Sequence, residues 1–264
     1  MNNKKAIADK ILFLFDLDGV FYKGKESRVK IGGTRAIGSL RRLRKSLFVL
    51  TNNSTDSVET VHSRLAEFKI PVRKDEILTS GLLTAEYLHR KYGRVTYFLI
   101  GEAGLESEMV KYGHRRTEGD RADFVVVGLD RALTYGKLDR AAGLVRNGAS
   151  IVATHSSRLY MYKTGPAVAT GPIVKALEYA TRKRATIVGK PSPLMFRVAL
   201  ERAGVKADEA VMVGDQVDTD IAGASRAGID SILVTSGVDS EAKGYKLLAK
   251  IANVDELAKL LGQA

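Results

Sequence analysis

The chain has 264 residues, 45% of them hydrophobic, and its 42 Lys and Arg against 30 Asp and Glu give a formal charge of +12 at pH 7. It contains no cysteine, which excludes disulfides, thiolate metal sites and cysteine nucleophiles. No apolar run approaches the roughly 20 residues that cross a bilayer, and no secretory segment opens the sequence, so we expect a cytoplasmic protein without a membrane partner.

Short β-like runs alternate with helical patterns along the whole chain. The runs are, in order, ILFLF, LFVLT, VTYFLI, DFVVVG, SIVAT, TIVG, AVMVG and SILVT. Between them, apolar residues recur at helical spacing, as at Val58, Val61, Leu65 and Phe68. This alternation predicts an α/β fold with a parallel sheet and right-handed crossovers. No low-complexity linker or fixed repeat interrupts it, so any second domain would be an insertion.

The first run ends in two carboxylates, in FLFDLDGVFYKG at residues 13–24. In extended chain, Asp16 and Asp18 project to the same side while Leu17 points away. Two crowded carboxylates repel each other unless a cation lies between them or one keeps its proton. The pair fits a phosphoryl-transfer site, where one acid attacks phosphorus, the other carries a proton and magnesium neutralises the phosphate. An Asp-Gly turn capped by Asp18 is the alternative.

A dense basic cluster follows at residues 41–45. Its arginines and lysine interleave with Ile37, Leu40 and Leu43 at helical spacing. This pattern is typical of the solvated side of an amphipathic helix. We therefore expect no nucleic-acid partner, although the net charge keeps that class open.

The second run ends in FVLTNNST at residues 48–55. Thr51 and Asn52 leave the strand just before a helix expected near Asp56. A hydroxyl and neighbouring main-chain N–H groups at a helix entrance can hold a phosphate oxygen. N-capping by Ser54 or Asp56 is the alternative.

The stretch IVGKPSP at residues 187–193 places Lys190 between Gly189 and Pro191. A lysine ammonium is a compact charge that can neutralise a phosphate crowded against carboxylates. The spacing does not match a P-loop, because Pro191 stands at the Ser/Thr position. A surface lysine before a proline-initiated helix is the alternative.

The stretch MVGDQVDTDIAGA at residues 212–224 ends a strand at Asp215, with Asp218 and Asp220 close behind. Mg²⁺ usually takes one or two carboxylates plus waters and substrate oxygens, so Asp215 fits as a ligand together with Asp16. We assign Asp218 to capping the next helix. Ligands of open α/β sheets bind beyond the carboxyl ends of the strands, so these four strand ends predict one active-site edge.

In this order, FDLDGVFYKG, VLTNNST, VGKPSP and VGDQVDTDIAGA resemble the motifs of the haloacid dehalogenase-like (HAD) hydrolase superfamily. The likeness is to its subclass IIA, the NagD-like branch of p-nitrophenyl phosphatase and phosphoglycolate phosphatase homologues. It spans nearly the whole chain, and the joint occurrence is specific where each motif alone is weak. The resemblance implies a Rossmann-like core of residues 1–79 and 173–264, with an α/β cap domain inserted at residues 80–172.

The same resemblance assigns roles. Asp16 is expected to be the nucleophile that forms an aspartyl-phosphate, and Asp18 the general acid and then the general base. Mg²⁺ is expected to bind Asp16, the main-chain carbonyl of Asp18 and Asp215, and Asp220 to support the metal shell or the lysine. The residues expected to hold the phosphoryl group are Thr51, Asn52 and Lys190.

The cap stretch VVVGLDRALTYGKL also resembles its relatives, but the chain departs from them afterwards. In ATHSSRLYMYKTGPAVATG at residues 153–171, His155 stands where relatives usually have Asn, and Arg158, Tyr160 and Lys163 follow. His155 and Arg158 are therefore our candidates for substrate specificity. A satisfied polar residue at a strand end is the alternative for His155.

These expectations combine into a cytoplasmic, Mg²⁺-dependent phosphatase acting on monoesters of small phosphorylated metabolites, with p-nitrophenyl phosphate as an artificial substrate. The resemblance also implies a homodimer formed through the cap. Two other classes stay open, a non-catalytic phosphometabolite-binding scaffold and a basic nucleic-acid-binding protein. A scaffold would be expected to lose a motif acid or Lys190, and all of them are present. Nucleic-acid binding leaves the four motifs unexplained.

Overall fold

The computed structural model describes residues 2–23, 29–162 and 165–263 and confirms the alternation of strands and helices. The strands in this part of the chain are β1 (Leu12–Phe15), β2 (Ser46–Thr51), β3 (Ile77–Thr79), β4 (Thr96–Ile100), β5 (Arg115–Arg116), β6 (Phe124–Val127), β7 (Ser150–Ala153), β8 (Leu159–Tyr162), β9 (Gly165–Val168), β10 (Thr186–Ile187), β11 (Ala210–Gly214), β12 (Asp230–Val234) and β13 (Ala249–Ile251). The α-helices are α1 (Asn2–Ala8), α2 (Thr34–Arg42), α3 (Val58–Glu67), α4 (Ser80–Tyr92), α5 (Ala103–Lys111), α6 (Tyr135–Arg146), α7 (Thr170–Thr181), α8 (Pro193–Ala203), α9 (Ala222–Arg226) and α10 (Leu257–Leu260). None of these described helices has both the length and the apolar content of a membrane span.

Six parallel strands form the larger sheet, in the order β13-β12-β11-β1-β2-β3. Leu12 of β1 pairs with Ser46 of β2 on one side and with Ala210 of β11 on the other. Every residue of β1 is buried, as an apolar run predicts for a strand covered on both faces. Because β2, β1 and β11 are parallel neighbours, the residues at their carboxyl ends reach the same edge of the sheet.

A second parallel sheet has the strand order β10-β7-β6-β4-β5, and β8 and β9 form a separate antiparallel hairpin. Helices α6 and α7 pack together against this sheet, with Ile173, Val174 and Leu177 of α7 in one buried cluster with Val125 and Ile151. The molecule therefore contains the predicted Rossmann-like parallel core and a second α/β layer.

The second sheet extends beyond residue 172, the expected end of the inserted domain. Thr186 and Ile187 of β10 pair with Val152 and Ala153 of β7, so they belong to this sheet. The run TIVG at residues 186–189 overlaps the start of the VGKPSP motif, and for that reason the sequence pattern assigns it to the sheet that carries the motif. The division into residues 1–79 with 173–264 and residues 80–172 stays a prediction, and the second sheet favours a boundary after Ile187.

The two sheets share one hydrophobic cluster. It contains Leu12 and Leu14 of β1, Tyr97 and Leu99 of β4, and Phe196 of α8, together with residues of α4. Full burial of one such side chain is worth roughly 1.5–3 kcal/mol. We therefore expect each sheet to stabilise the other.

Candidate active site

Three carboxylates converge where β1 and β11 end. Asp16, Asp215 and Asp220 are buried, and each offers an oxygen within 4.8 Å of the others. The main-chain N–H of Asp16 donates to the Val213 carbonyl at 2.9 Å, which keeps Asp16 aligned with the strand. Asp220 lies in a π-helical turn after β11, where its Oδ2 accepts from the N–H groups of Asp215 and Gln216, both at 3.1 Å.

Lys190 lies between two of these carboxylates. Its Nζ is 2.5 Å from Asp16 Oδ1, 2.7 Å from Asp220 Oδ1 and 3.0 Å from the Leu50 carbonyl oxygen. Burial opposes the charged ammonium, but the attraction of Asp16 and Asp220 outweighs it and raises the pKa of Lys190 above its usual value. The side chain is 2% exposed, so the alternative of a surface lysine is wrong.

One lysine does not balance three carboxylates. Asp215 Oδ1 is buried and has no hydrogen-bond partner among the described residues. Burial first, and then the charges of Asp16 and Asp220, raise the pKa of Asp215 to about 9. Burial and the charge of Asp16 raise the pKa of Asp220 to about 6. A divalent cation fits these residues, because it would partner the orphaned oxygen and offset the crowded negative charge.

Asp18 lines the same cavity as Asp16. Its Oδ1 is buried and unpartnered within the described part of the chain. Burial first and the charge of Asp16 second raise the pKa of Asp18 to about 7. Gly19 follows with a φ of 83°, and a Cβ at that position would lie 2.2 Å from Asp215 Oδ2. The turn after the two acids therefore requires glycine.

β2 delivers Thr51 and Asn52 to the same edge. The Thr51 hydroxyl accepts from the Asn53 N–H at 3.0 Å, so its own O–H can donate into the cavity that it lines. The Asn52 side chain binds the main chain of Lys190, with Oδ1 accepting from the N–H and Nδ2 donating to the carbonyl, both at 2.9 Å. Nδ2 also lies 3.3 Å from Ser157 Oγ. Asn52 thus positions the Lys190 main chain and also lines the cavity, and its contact with phosphate stays a prediction.

Ser57 caps α3, since its Oγ accepts from the Thr60 N–H at 3.3 Å. The alternative in which Ser54 or Asp56 caps this helix is therefore wrong. Ser54 Oγ instead accepts from the Leu129 N–H at 3.3 Å, which joins the loop after β2 to the loop after β6. The carboxyl ends of both sheets meet at this contact.

His155 lies beyond β7, next to the Asn52 network. Its Nδ1 accepts from the Ser157 N–H at 3.2 Å, and its Nε2 is 3.0 Å from the Thr170 hydroxyl. Because Nδ1 accepts, the ring hydrogen lies on Nε2 and donates to Thr170. Burial first and the charge of Lys190 second lower the pKa of His155 to about 4, so the ring is neutral at pH 7. His155 lines the cavity, yet both its nitrogens are engaged within the protein.

Arg158 lies outside the cavity lining. Its side chain is 88% exposed, and its Nη2 is 3.9 Å from Oδ2 of Asp218, which is itself 87% exposed. The next helix, α9, has Ile221 at its N-cap position and no side-chain capping hydrogen bond among the described residues, so the assignment of Asp218 to that cap is wrong. Tyr160 does line the cavity, and Lys163 lies outside the described residues.

A cavity of about 800 Å³ opens over the carboxylates and is lined by residues from both layers. This volume lies within the range of small-molecule binding sites. The predicted site residues in its lining are Asp16, Asp18, Thr51, Asn52, His155, Lys190 and Asp215.

Two protein-family profiles match the chain. One, described as haloacid dehalogenase-like hydrolase, matches residues 13–115, and the other, described as HAD-hydrolase-like, matches residues 187–261. The acid sugar phosphatase of Staphylococcus epidermidis is 34% identical over 228 residues, which cover 86% of this chain and 87% of that protein. The chain belongs to the haloacid dehalogenase-like hydrolases.

Solved structures of other HAD hydrolases superpose on nearly the whole chain. The 4-nitrophenylphosphatase of Thermotoga maritima has a TM-score of 0.90 at 34% identity and covers 97% of this chain and 99% of its own. The p-nitrophenyl phosphatase of Archaeoglobus fulgidus has a TM-score of 0.89 at 30% identity, with 95% and 99% covered. A putative NagD protein has a TM-score of 0.87 at 34% identity, with 96% and 98% covered. The predicted place in the NagD-like branch is confirmed.

This HAD hydrolase is therefore a phosphatase, a phosphoric monoester hydrolase, and the expectation of an enzyme is confirmed over that of a non-catalytic scaffold. Several residues of its cavity carry no motif in the sequence. Arg131 lies in the VVVGLDRALTYGKL stretch, which marked the region but not the residue, and Val238 follows β12 in a loop that no pattern connects with the site. The cavity residues that the quoted stretches contain but did not single out include Lys23, Arg131, Leu159, Met161 and Tyr162, and those in no quoted stretch are Ser236, Gly237 and Val238.

Proposed function

We propose that this HAD hydrolase is a Mg²⁺-dependent phosphatase that hydrolyses monoesters of small phosphorylated metabolites through an aspartyl-phosphate on Asp16. The proposal rests on the Lys190 ammonium 2.5 Å from Asp16, beside Asp215 Oδ1, which has no hydrogen-bond partner among the described residues, in a cavity of substrate size. Similar proteins bear the names acid sugar phosphatase and 4-nitrophenylphosphatase. Sugar phosphates and p-nitrophenyl phosphate are therefore the first substrates to try.

The chemistry takes two displacements at phosphorus. In the first, a carboxylate oxygen of Asp16 attacks phosphorus, the bond from phosphorus to the ester oxygen breaks, and Asp18 gives its proton to the leaving oxygen. In the second, Asp18 takes a proton from water, the water oxygen attacks phosphorus, and the bond from phosphorus to Asp16 breaks. Inorganic phosphate leaves, and Asp18 again holds the proton with which it began.

Asp16, Asp215 and the main-chain carbonyl of Asp18 would hold Mg²⁺, with Asp220 beside them. When bound, Mg²⁺ supplies positive charge that offsets the phosphate dianion and the carboxylates. Lys190 contributes to the same balance and orients the Asp16 carboxylate. The Thr51 hydroxyl can donate a hydrogen bond to a phosphoryl oxygen.

The test is phosphate release from p-nitrophenyl phosphate by the wild type and by Asp16→Asn, after chelator treatment and again after addition of Mg²⁺. We expect Mg²⁺-dependent release from the wild type and a loss of at least about 10³-fold in the variant, because a carboxamide is not a nucleophile. Asp218→Asn is the matched control, because this carboxyl is exposed although it lies three residues after Asp215 and two before Asp220. Retained activity in Asp16→Asn would exclude the covalent route, and release that ignores Mg²⁺ would exclude the metal.

The partner expectations remain part of the proposal. A homodimer through the second layer is supported by Tyr135 of α6 and Tyr179 of α7, which are 85% and 92% exposed on packed neighbouring helices. Sedimentation equilibrium measures the mass, and a species of 28.7 kDa at all concentrations would contradict the dimer. We likewise propose a cytoplasmic location and no nucleic-acid partner, and steeply salt-dependent affinity for DNA or RNA would contradict the latter.

A further inference from the structure

Exposed apolar side chains gather at the cavity that contains Asp16. Leu159, Met161 and Val238 line this cavity and are 56%, 57% and 58% exposed. A large apolar side chain left open to water beside a reaction site is available to a ligand, because covering it releases the water in contact with it.

The three side chains come from two parts of the fold that are separately fixed. Leu159 and Met161 alternate along β8 and so project from the same face of the hairpin. Val238 follows β12, and its N–H donates to Asp215 Oδ2 at 2.8 Å. A Cβ on Gly237 would lie 1.8 Å from that same oxygen, so this loop packs tightly on the carboxylate cluster. Val238 is therefore held at a defined position relative to the carboxylate cluster.

The opposite face of β8 also contributes side chains to the cavity lining. The rings of Tyr160 and Tyr162 lie 6.0 Å apart at an interplanar angle of 67°, an edge-to-face pair, and both line the cavity. The cations in the described lining are Lys23, Arg131 and Lys190. Lys23 belongs to the segment after β1, so Arg131 is the cation of the second layer that could suggest an anionic leaving group. Its Nε and Nη2, however, donate to the two carboxylate oxygens of Glu102 at 2.8 and 2.7 Å, which offsets its charge.

We propose that Leu159, Met161 and Val238 form an apolar subsite for the leaving group, which selects phosphate monoesters of alcohols with a flat apolar or aromatic face over monoesters of polyols and hydroxy acids. The inference rests on the proposed function, because the phosphate of such a substrate would lie at Asp16. A polyol placed against these side chains would lose hydrogen bonds to water without gaining partners. An aromatic ring would lose no hydrogen bonds to water there, and its contact would remove apolar surface of both the ring and the protein from water.

The test compares kcat/KM for benzyl phosphate and glycerol 1-phosphate. Both are esters of primary alcohols, so the leaving oxygen is similar while the attached groups differ in polarity. We expect the wild-type kcat/KM for benzyl phosphate to exceed that for glycerol 1-phosphate by about tenfold or more. Met161→Ser and Val238→Ser should each lower kcat/KM for benzyl phosphate roughly 5- to 10-fold. Their values for glycerol 1-phosphate should change less than about twofold, since the Val238 N–H that holds Asp215 is kept.

Two controls separate a subsite from general damage. Val110→Ser removes a similarly exposed valine, at 61%, from α5 outside the cavity lining and should leave both substrates unchanged. Met161→Leu conserves apolar volume and should keep the preference. An equal fall for both substrates, a wild type that favours glycerol 1-phosphate, or a Val110→Ser effect as large as that of Val238→Ser would overturn the subsite while leaving the proposed function standing. No release from these esters or from p-nitrophenyl phosphate would overturn the proposed function, and the subsite with it.

Discussion

Lys190 bridges two buried carboxylates, and its removal would leave both Asp16 and Asp220 without their counter-charge. Breaking a buried ion pair from one side costs about 3–5 kcal/mol. We expect Lys190→Met to lower the free energy of unfolding by about that amount and to abolish measurable turnover. Urea denaturation of chelator-treated protein measures the first effect, and phosphate release measures the second.

A second substitution distinguishes charge from packing in this prediction. Lys190→Met combined with Asp16→Asn removes one charge of each sign, so the double variant should regain part of the stability without regaining activity. If Lys190→Met proves as stable as the wild type, the ion pair makes no net contribution to folding. In that case, the lysine serves the reaction alone.

His155 makes the folded protein sensitive to acid. Its pKa is about 4 in the folded protein, against an ordinary value of 6.5. As the pH falls below about 6.5, the unfolded chain binds this proton first, so the free energy of unfolding declines down to about pH 4. The depressed pKa corresponds to about 3 kcal/mol, a contribution that is complete above pH 6.5 and lost below pH 4.

We expect His155→Gln to lose less stability than the wild type between about pH 7.5 and about pH 4.5, because an amide does not titrate there. Urea denaturation at the two pH values gives the difference. His62→Gln, in α3 and outside the cavity lining, is the matched control and should keep the wild-type dependence. Identical curves for the wild type and His155→Gln would mean that His155 takes up its proton without cost in the folded state.

Helix α5 of the second layer supports α3 of the larger sheet through one buried carboxylate. Glu108 Oε1 accepts from the N–H of Val58, the first residue of α3, at 3.0 Å, and from Lys111 Nζ at 3.0 Å. The Glu108 side chain is 1% exposed. The first N–H groups of a helix have no partner within it, and a negative charge is favourable at that end. This contact therefore completes a helix that belongs to the other layer.

We expect Glu108→Ala to destabilise the protein by about 2–3 kcal/mol, because a buried N–H and Lys111 both lose their acceptor. Glu108→Gln keeps an acceptor oxygen and should cost less. Glu59→Gln changes the other partner of Lys111, which is 48% exposed, and should shift stability by less than about 1 kcal/mol. Thermal unfolding measures all three, and equal losses in Glu108→Ala and Glu59→Gln would contradict the capping role.

The hydrophobic cluster shared by the two sheets predicts that they unfold together. Calorimetry should show one transition whose van't Hoff and calorimetric enthalpies agree. Leu99→Ala, which opens space in the shared cluster from β4, should lower stability by about 2–5 kcal/mol and move that single transition. Two resolved transitions in either protein would show that the layers fold independently.

The active-site edge could be predicted from the sequence because its parts obey a local rule. Asp16, Thr51 and Asp215 each end an apolar run, and parallel strands of an α/β sheet bring such ends together. The contact of Asn52 with Lys190 could not be predicted, since the two residues are 138 positions apart and no local pattern encodes that partner. The place of β10 was missed for a similar reason, because two residues carry no periodicity and packing of α7 on the second sheet decides their pairing.

The hairpin of β8 and β9 closes upon itself. The Ala169 N–H donates to the Arg158 carbonyl at 3.0 Å, and Leu159 pairs with Val168, so the segment leaves and rejoins the second layer at almost one point. The hairpin contains neither the active-site carboxylates nor Lys190. Because the proposed subsite includes Leu159 and Met161, substitutions confined to this hairpin during evolution would change the preferred substrate and leave the reacting groups unchanged. Phosphatases that descend from one ancestor could then acquire different substrate preferences through changes in the β8–β9 hairpin, and every intermediate would keep its activity.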